Sequence, residues 1–217
     1  MIENKKAMLF DLDGTLVDSM WMWKDLDIQY LKTIGRTLPE TLQSEIEGMS
    51  FTETAHYFKK RFDIPESIEE IKEIWLSMAK HKYQNEVPLK RGAYEFLEYL
   101  NRHDYKVGIC SSNSIDLIQA VLEAHGVLGF IHQIRTCCEV KRGKPAPDIY
   151  LKVAEDLQTD PCDCLVFEDI VPGILAGKNA NMTTCAVEDA YSIYQREEKK
   201  RIADYYIQDY FDILHNL

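Results

Sequence analysis

Residues 7–19 read AMLFDLDGTLVDS. The apolar run Ala7 to Phe10 stops at Asp11, and Asp13, Gly14 and Thr15 follow. Four apolar residues in a row, bounded by polar ones, fit a strand buried on both faces, as in a parallel sheet. Ligands of such sheets bind beyond the carboxyl ends of the strands. Asp11 and Asp13 stand at such an end. In extended backbone, residues i and i+2 point to one side, so both carboxylates are expected to reach one point. Two bare carboxylates that close repel unless a cation or a shared proton offsets their charge. A hard divalent cation with oxygen ligands meets that need, and Mg²⁺ is the usual one. Gly14 allows a sharp turn just after the pair. Taken alone, Asp-x-Asp fits a solvated, capped loop equally well.

The rest of the chain supports the sheet. From residue 87 onward, short apolar runs alternate with helical patterns. Lys106–Cys110 (KVGIC) is strand-like, and Ser114–Ala124 carries Ile115, Ile118, Val121 and Leu122 on one helical face, with Gly126 as a stop. Cys164–Phe167 (CLVF) reads as a strand, residues 173–179 as a helix, Thr183–Val187 as a strand and Asp204–Ile207 as a last one. This alternation predicts an α/β fold, a Rossmann-like parallel sheet covered by helices. Residues 19–84 differ. Met20–Ile34 is helical and ends at Gly35, and Pro39–Glu47 is a short helix. Ser50-Phe51-Thr52-Glu53 fits a capping box, and Ile68, Ile71, Trp75, Met78 and Ala79 share a face of a fourth helix. The expected organisation is an α/β core of residues 1–18 and 85–217, with a four-helix insert at 19–84.

The chain has 217 residues, 46% of them hydrophobic and 28% charged, which suits a globular fold with a sizeable core. Its net charge of -11 makes nucleic acid and anionic membrane poor partners. An anionic small molecule remains open, because a local metal ion or lysine can reverse the field inside a pocket. No apolar run approaches a membrane span, and the N-terminus lacks a signal-peptide core, so the expected location is the cytoplasm. The six cysteines have no C-x-x-C spacing and read as free thiols. The six histidines show no metal-ligand spacing.

Three more polar groups fall at strand ends or in loops. Ser111-Ser112-Asn113 follows KVGIC and runs into a helix, a ready anion site and also an ordinary helix cap. Glu168-Asp169 follows CLVF as a second acidic pair, which alone reads as a solvated turn. Lys144 lies between them in GKPAPD, pinned by prolines, which alone reads as a surface lysine. Together they compose a Mg²⁺ and phosphate constellation, far less expected by chance than each piece.

In order and spacing, DLDGTLVDS, the serine after a strand, the GKPAPD lysine and FED before a glycine-containing helix resemble the four motifs of the haloacid dehalogenase superfamily. The helical insert resembles that of members with a cap after the first strand, including β-phosphoglucomutase and many small-metabolite phosphatases. The resemblance implies that Asp11 is the nucleophile forming an aspartyl-phosphate and that Asp13 is the general acid and base. It implies that Ser111 and Lys144 hold the phosphoryl oxygens, with Ser112 beside them in the phosphate-binding turn. It further implies that Mg²⁺ is bound by Asp11, the backbone carbonyl of Asp13 and Asp169, with Glu168 as an outer partner or water-mediated ligand. Many such enzymes are monomers, and a monomer is expected.

Departures from the mutase pattern bear on substrate. β-Phosphoglucomutases carry a cap histidine and a Gly-x-Ser-Arg loop whose arginine grips a second phosphate. Here the corresponding positions are Trp23 and Gly48-Met49-Ser50-Phe51. Phe51 cannot bind phosphate bidentately. A phosphatase of a small phosphorylated metabolite is therefore the expectation, with a mutase as the alternative. Trp23, Phe51 and Lys80 are the candidate cap-pocket residues, with Lys82 a further lysine of that region; cap core is the plain alternative for Trp21, Trp23 and Phe51. Ile170 replaces a frequent serine and weakens hydrogen bonding around the acidic pair. Asp18, at the hinge, is expected to cap the first insert helix. A receiver-like domain would need neither insert nor Asp13. A non-enzymatic phosphosugar-binding module would be signalled by loss of Asp11 or Asp13, and a dehalogenase does not need Asp13.

Overall fold

The structure, a computed structural model, describes all 217 residues. Six strands make one sheet: β1 (Ala7–Phe10), β2 (Lys106–Ser111), β3 (Gln133–Thr136), β4 (Cys164–Glu168), β5 (Thr183–Val187) and β6 (Tyr205–Ile207). Their order is β3-β2-β1-β4-β5-β6, and every pairing is parallel. The expected α/β architecture is the one found. The chain runs outward from β1 in one direction and from β4 in the other. The crevice between β1 and β4 is thus the switch point where a doubly wound sheet binds ligands.

All four β1 residues are buried. Ala7 and Leu9 pack on one face, with Val166 and Tyr150, while Met8 and Phe10 pack on the other. That alternation explains why the strand is apolar at every position. Beneath the switch point lies an aromatic cluster. Phe10 stacks on Phe167 at 4.7 Å between ring centroids, Phe96 meets Phe167 edge-on at 5.6 Å, and Tyr210 stacks on Phe96 at 5.4 Å. The Tyr210 hydroxyl donates to the Thr15 carbonyl at 3.1 Å, tying the cluster to the loop after β1.

Between β1 and β2 come α1 (Met20–Thr33), α2 (Leu42–Ile46), α3 (Phe51–Phe62), α4 (Ile68–Asn85) and α5 (Ala93–Arg102). The first four form the helical insert and contain no strand. The capping box opening α3 is present, with Ser50 accepting from the Glu53 amide and Glu53 accepting from the Ser50 amide. The same device opens α4 through Ser67 and Glu70. Phe51, Phe58 and Trp75 form the insert's aromatic core, with Trp75 4.9 Å from Phe58 and 5.6 Å from Phe51. The two passages joining insert and sheet run side by side, through the Asp18 amide to the Pro88 carbonyl at 2.9 Å and the Lys90 amide to the Leu16 carbonyl at 2.9 Å. One apolar cluster is continuous from the insert into one face of the sheet.

The remaining helices cover the sheet: α6 (Ile115–Ala124), α7 (Asp148–Asp156), α8 (Val171–Asn179), α9 (Arg196–Ile202) and α10 (Phe211–Leu214). Strand β3 escapes the sequence pattern. It is an edge strand reading QIRT, with Gln133, Ile134 and Arg135 partly exposed and Thr136 buried, so no apolar run marks it. The cysteines are free, four buried and two exposed. No helix is long and apolar enough to cross a membrane.

The aromatic cluster should carry much of the stability around the switch point. Phe96 is fully buried, and Phe96→Ala is expected to cost about 3–5 kcal/mol through lost burial and a cavity. Urea unfolding of the two proteins, compared at constant slope, checks this.

Candidate active site

Parallel register brings the strand ends together. Phe10 pairs with Phe167, and the Asp11 amide donates to the Phe167 carbonyl at 3.0 Å. Asp11 therefore lies beside Glu168, the last residue of β4. Lys144 enters from the loop between β3 and α7. Its ammonium donates to Asp11 Oδ1 at 2.6 Å and to Glu168 Oε1 at 2.5 Å. The Tyr150 hydroxyl also donates to Glu168 Oε1, at 2.8 Å. All of these groups are buried.

Burial raises the Asp11 carboxyl to about 7 even though Lys144 pulls it down, and Glu168 adds to the rise. Asp169 is pushed well above the usual carboxylate range, first by burial and then by Glu168 and Asp11. Burial alone would lower the Lys144 ammonium, but Asp11 and Glu168 more than offset it and hold it well above its ordinary value. Lys144 bonds two of these three buried carboxylates, and the buried Lys199 ammonium lies against the Asp169 carbonyl. Oxygens of Asp11, Glu168 and Asp169 lie within 4.8 Å of one another. An all-oxygen donor set with excess negative charge suits a hard divalent cation, so these residues fit Mg²⁺.

Two glycines make room for this packing. A Cβ on Gly14, whose φ is +80°, would fall 2.4 Å from Asp169 Oδ2. A Cβ on Gly173, in α8, would fall 1.9 Å from the Glu168 carboxyl carbon. Either side chain would displace a carboxylate. Asp169 is further held by the Thr15 hydroxyl at 3.2 Å, and its carbonyl accepts from Ser192 and from the Lys199 ammonium, both at 2.8 Å.

Asp13 has a different environment. Its carboxylate is outside the three-carboxylate group, although Asp11 and Asp13 line the same cavity and Asp13 adds to the rise of Asp11. Oδ1 accepts from the Ser19 hydroxyl at 2.6 Å, from Trp23 Nε1 at 3.3 Å and from the Tyr83 hydroxyl. Oδ2 accepts from Asn113 Nδ2 at 2.9 Å. Trp23 and Tyr83 come from α1 and α4, so the insert grips this carboxylate directly. Tyr83 is fully buried, and its hydroxyl also accepts from Trp23 and Asn113.

A cavity of about 170 Å³ opens above these groups. Asp11, Asp13, Asp169, Ser111, Ser112 and Lys144 line its inner end. Ser111 Oγ accepts from the Asn113 amide at 3.0 Å, which shapes the turn, and the Ser112 carbonyl accepts from the Phe51 amide at 2.7 Å, which seats the insert on that turn. Trp23, Phe51 and Ile170 also line the cavity.

A family model described as haloacid dehalogenase-like hydrolase matches residues 8–187. The chain belongs to this family. It is similar to the bifunctional riboflavin kinase/FMN phosphatase of Arabidopsis thaliana, 31% identical over 182 residues, which cover 83% of this chain and 48% of that protein. The chain thus spans about half the length of that relative. It is similar to the probable pseudouridine-5'-phosphatase of Drosophila melanogaster, 28% identical over 193 residues, with 83% and 80% covered. In fold it is similar to the structure of CbbY from Rhodobacter sphaeroides in complex with phosphate, at a TM-score of 0.84 and 20% identity over 95% of each chain.

As a member of this hydrolase family, the chain departs from the sequence expectations at three points. Asp18 does not cap α1. The cap position is Ser19, without a side-chain cap bond, because its hydroxyl is committed to Asp13. Lys80 is exposed and outside the cavity lining, since it falls on the outer face of α4. Lys82 sits over the Trp21 ring at 5.2 Å and pairs with Glu86, outside the cavity lining. The sequence assigns no role to Tyr83, Ser192 or Lys199, and of these Tyr83 left a signal: it extends the Ile71, Trp75, Ala79 stripe of α4 by one turn.

Asp27 also lines the cavity, with no hydrogen bond or ion pair in the protein, and burial alone raises its carboxyl to about 7. A carboxyl whose pKa is higher folded than unfolded favours folding most while it is protonated in both states. That contribution falls as pH rises from the unfolded value through about 7. Asp27→Asn should therefore melt above the wild type at pH 8, and the gap should close toward pH 4. Thermal melts across that range check the sign.

Proposed function

We propose that this chain is a Mg²⁺-dependent phosphatase of a small phosphorylated metabolite, acting through an aspartyl-phosphate on Asp11. The chain is a phosphoric monoester hydrolase. The observation that carries the proposal is Lys144 between Asp11 and Glu168 at the switch point of the sheet, with Asp13 two residues beyond Asp11 and bonded to the insert. The similarity to named phosphatases supports the same chemistry.

The residues divide the work. Lys144 and Ser111, with Ser112, bind and orient the phosphoryl oxygens. Asp11 attacks phosphorus; an Asp11 O–P bond forms as the ester P–O bond breaks. Asp13 gives its proton to the leaving oxygen. It then takes a proton from water, whose oxygen attacks phosphorus, breaks the Asp11 O–P bond and releases phosphate. Asp11, Asp169 and the Asp13 carbonyl would hold Mg²⁺, which supplies neutralisation of the phosphoryl charge. Glu168, held by Lys144 and Tyr150, keeps that lysine aimed at Asp11.

In this scheme residues 19–84 are the cap, and residues 1–18 and 85–217 the core. Cap closure brings Trp23 and Tyr83 onto Asp13 and shuts out bulk water, coupling substrate enclosure to acid–base chemistry. Trp23 and Phe51 stand where a mutase places a histidine and a phosphate-gripping arginine, so the second phosphate of a mutase intermediate lacks a partner here. The four-motif site lies in a chain that is expected to work as a cytoplasmic monomer.

Asp11→Asn should abolish phosphate release while leaving the circular dichroism and melting behaviour of a folded chain; substantial residual turnover would remove Asp11 as nucleophile. Asp13→Asn should slow both formation and hydrolysis of the phosphoenzyme, seen in single-turnover kinetics. Chelation should stop release and added Mg²⁺ restore it; with β-glucose 1-phosphate, glucose 6-phosphate formation would identify a mutase instead. Tyr83→Phe should lower kcat by about tenfold with a smaller change in KM, because a misaligned acid–base group loses positioning rather than binding.

A further inference from the structure

The outer half of the cavity is built by the insert. Met20, Trp23 and Asp27 fall at i, i+3 and i+7 of α1 and line it together. Trp23 donates to Asp13. Asp27 therefore stands one helical turn, about 6 Å, farther along α1 from the catalytic carboxylates. That is where the non-phosphate part of a monoester lies when its phosphoryl group is at Asp11.

Two polar groups there lack protein partners, the half-buried Asp27 and the exposed Gln43. Asp27 has no hydrogen-bond or ion-pair partner, and Gln43, from α2, has none for its side chain. Trp75 Nε1, on the same wall, is buried without a partner. Glu47 is already engaged, accepting from Tyr194 at 2.9 Å and from Gln195. Lys144 is the only cationic side chain lining the cavity, and it is committed to the inner end. A second phosphate or a carboxylate would thus meet Asp27 and Glu47 with no cation to pair with. An ammonium could donate to Asp27 and to Gln43 Oε1, but it offers no acceptor to the Gln43 NH2 group. A hydroxyl both donates and accepts. Its carbon skeleton can rest on Trp23, Phe51 and Met20.

We infer that this half of the cavity is a subsite for a neutral, hydroxyl-bearing leaving group, with Asp27 and Gln43 as its specificity-determining residues. This assignment deepens the phosphatase proposal and rests on it for the phosphoryl end of the substrate. It narrows the substrate class to monophosphates of polyols, sugars or nucleosides, and excludes bisphosphates and phosphorylated acids.

The test compares esters on the full chain with Mg²⁺. Neutral hydroxylated probes are sorbitol 6-phosphate, ribose 5-phosphate and uridine 5'-phosphate. Fructose 1,6-bisphosphate, phosphoglycolate and phosphoethanolamine are the charged probes, and acetyl phosphate reports the chemistry with almost no leaving-group contact. The best neutral probe should exceed every charged one in kcat/KM by about tenfold or more, and Asp27→Ala should cut its kcat/KM relative to acetyl phosphate by about tenfold, chiefly through KM. Asp27→Asn should recover part of that loss. A charged probe ranking first, or equal losses on both substrates, overturns the subsite. If acetyl phosphate and every ester fail, the phosphatase proposal fails separately. Calorimetry of the same esters on the Asp11→Asn chain then decides the subsite: neutral esters binding through Asp27 uphold it, and unchanged binding in the Asp27→Ala, Asp11→Asn double variant overturns it.

Discussion

A buried ammonium between two buried carboxylates organises this molecule. Lys144 meets Asp11 and Glu168 at 2.6 and 2.5 Å, all three side chains being buried. Taking such charges out of water costs several kcal/mol per ion, so the arrangement persists only where the scaffold over-determines it. The scaffold does so with three inputs. Adjacent strands β1 and β4 fix the two carboxylates. The turn around Lys144 brings the cation from a third place in the chain. Gly173 lets α8 approach the Glu168 carboxylate more closely than any residue with a side chain could. Asp169 adds a third carboxylate that Lys144 does not bond, and three carboxylate oxygens this close give a donor set that suits a divalent cation.

The second constraint ties insert to core. Asp13 is held by four donors, three of them (Ser19, Trp23 and Tyr83) from the insert. A carboxylate so held is fixed in direction, and its fixing depends on the insert being seated. The same contacts that close the cavity therefore set the geometry of the proposed acid–base group. Enclosure and alignment are one event.

The fold was legible to a large extent. The all-apolar β1, the KVGIC, CLVF and TTCAV strands and the α4 stripe needed only periodicity, because each buries apolar surface directly. Strand β3 was not legible, since this partly exposed edge strand carries no apolar run. The inner end of the site was legible through its motifs, as Asp11, Lys144 and Asp169 fall at places where chain direction alone dictates their meeting. The outer end was not. Trp23 was read as replacing a polar group and serving the pocket or the cap core; it proves to be a hydrogen-bond donor to Asp13. Asp18 was a reasonable helix cap until Ser19 took the cap position and turned its hydroxyl elsewhere.

What the sequence determined by itself was the sheet, the helical insert after its first strand, and the set of charged groups at the strand ends. Those follow from local periodicity and from the rule that parallel strands present their carboxyl ends to one crevice. The tertiary structure alone decided which donors reach Asp13, that Lys80 faces water, and that Asp27 stands without a partner in the cavity wall. Each of these depends on the rotation and seating of insert helices against the core. That seating is set by packing between residues far apart in the chain, and no local pattern encodes it.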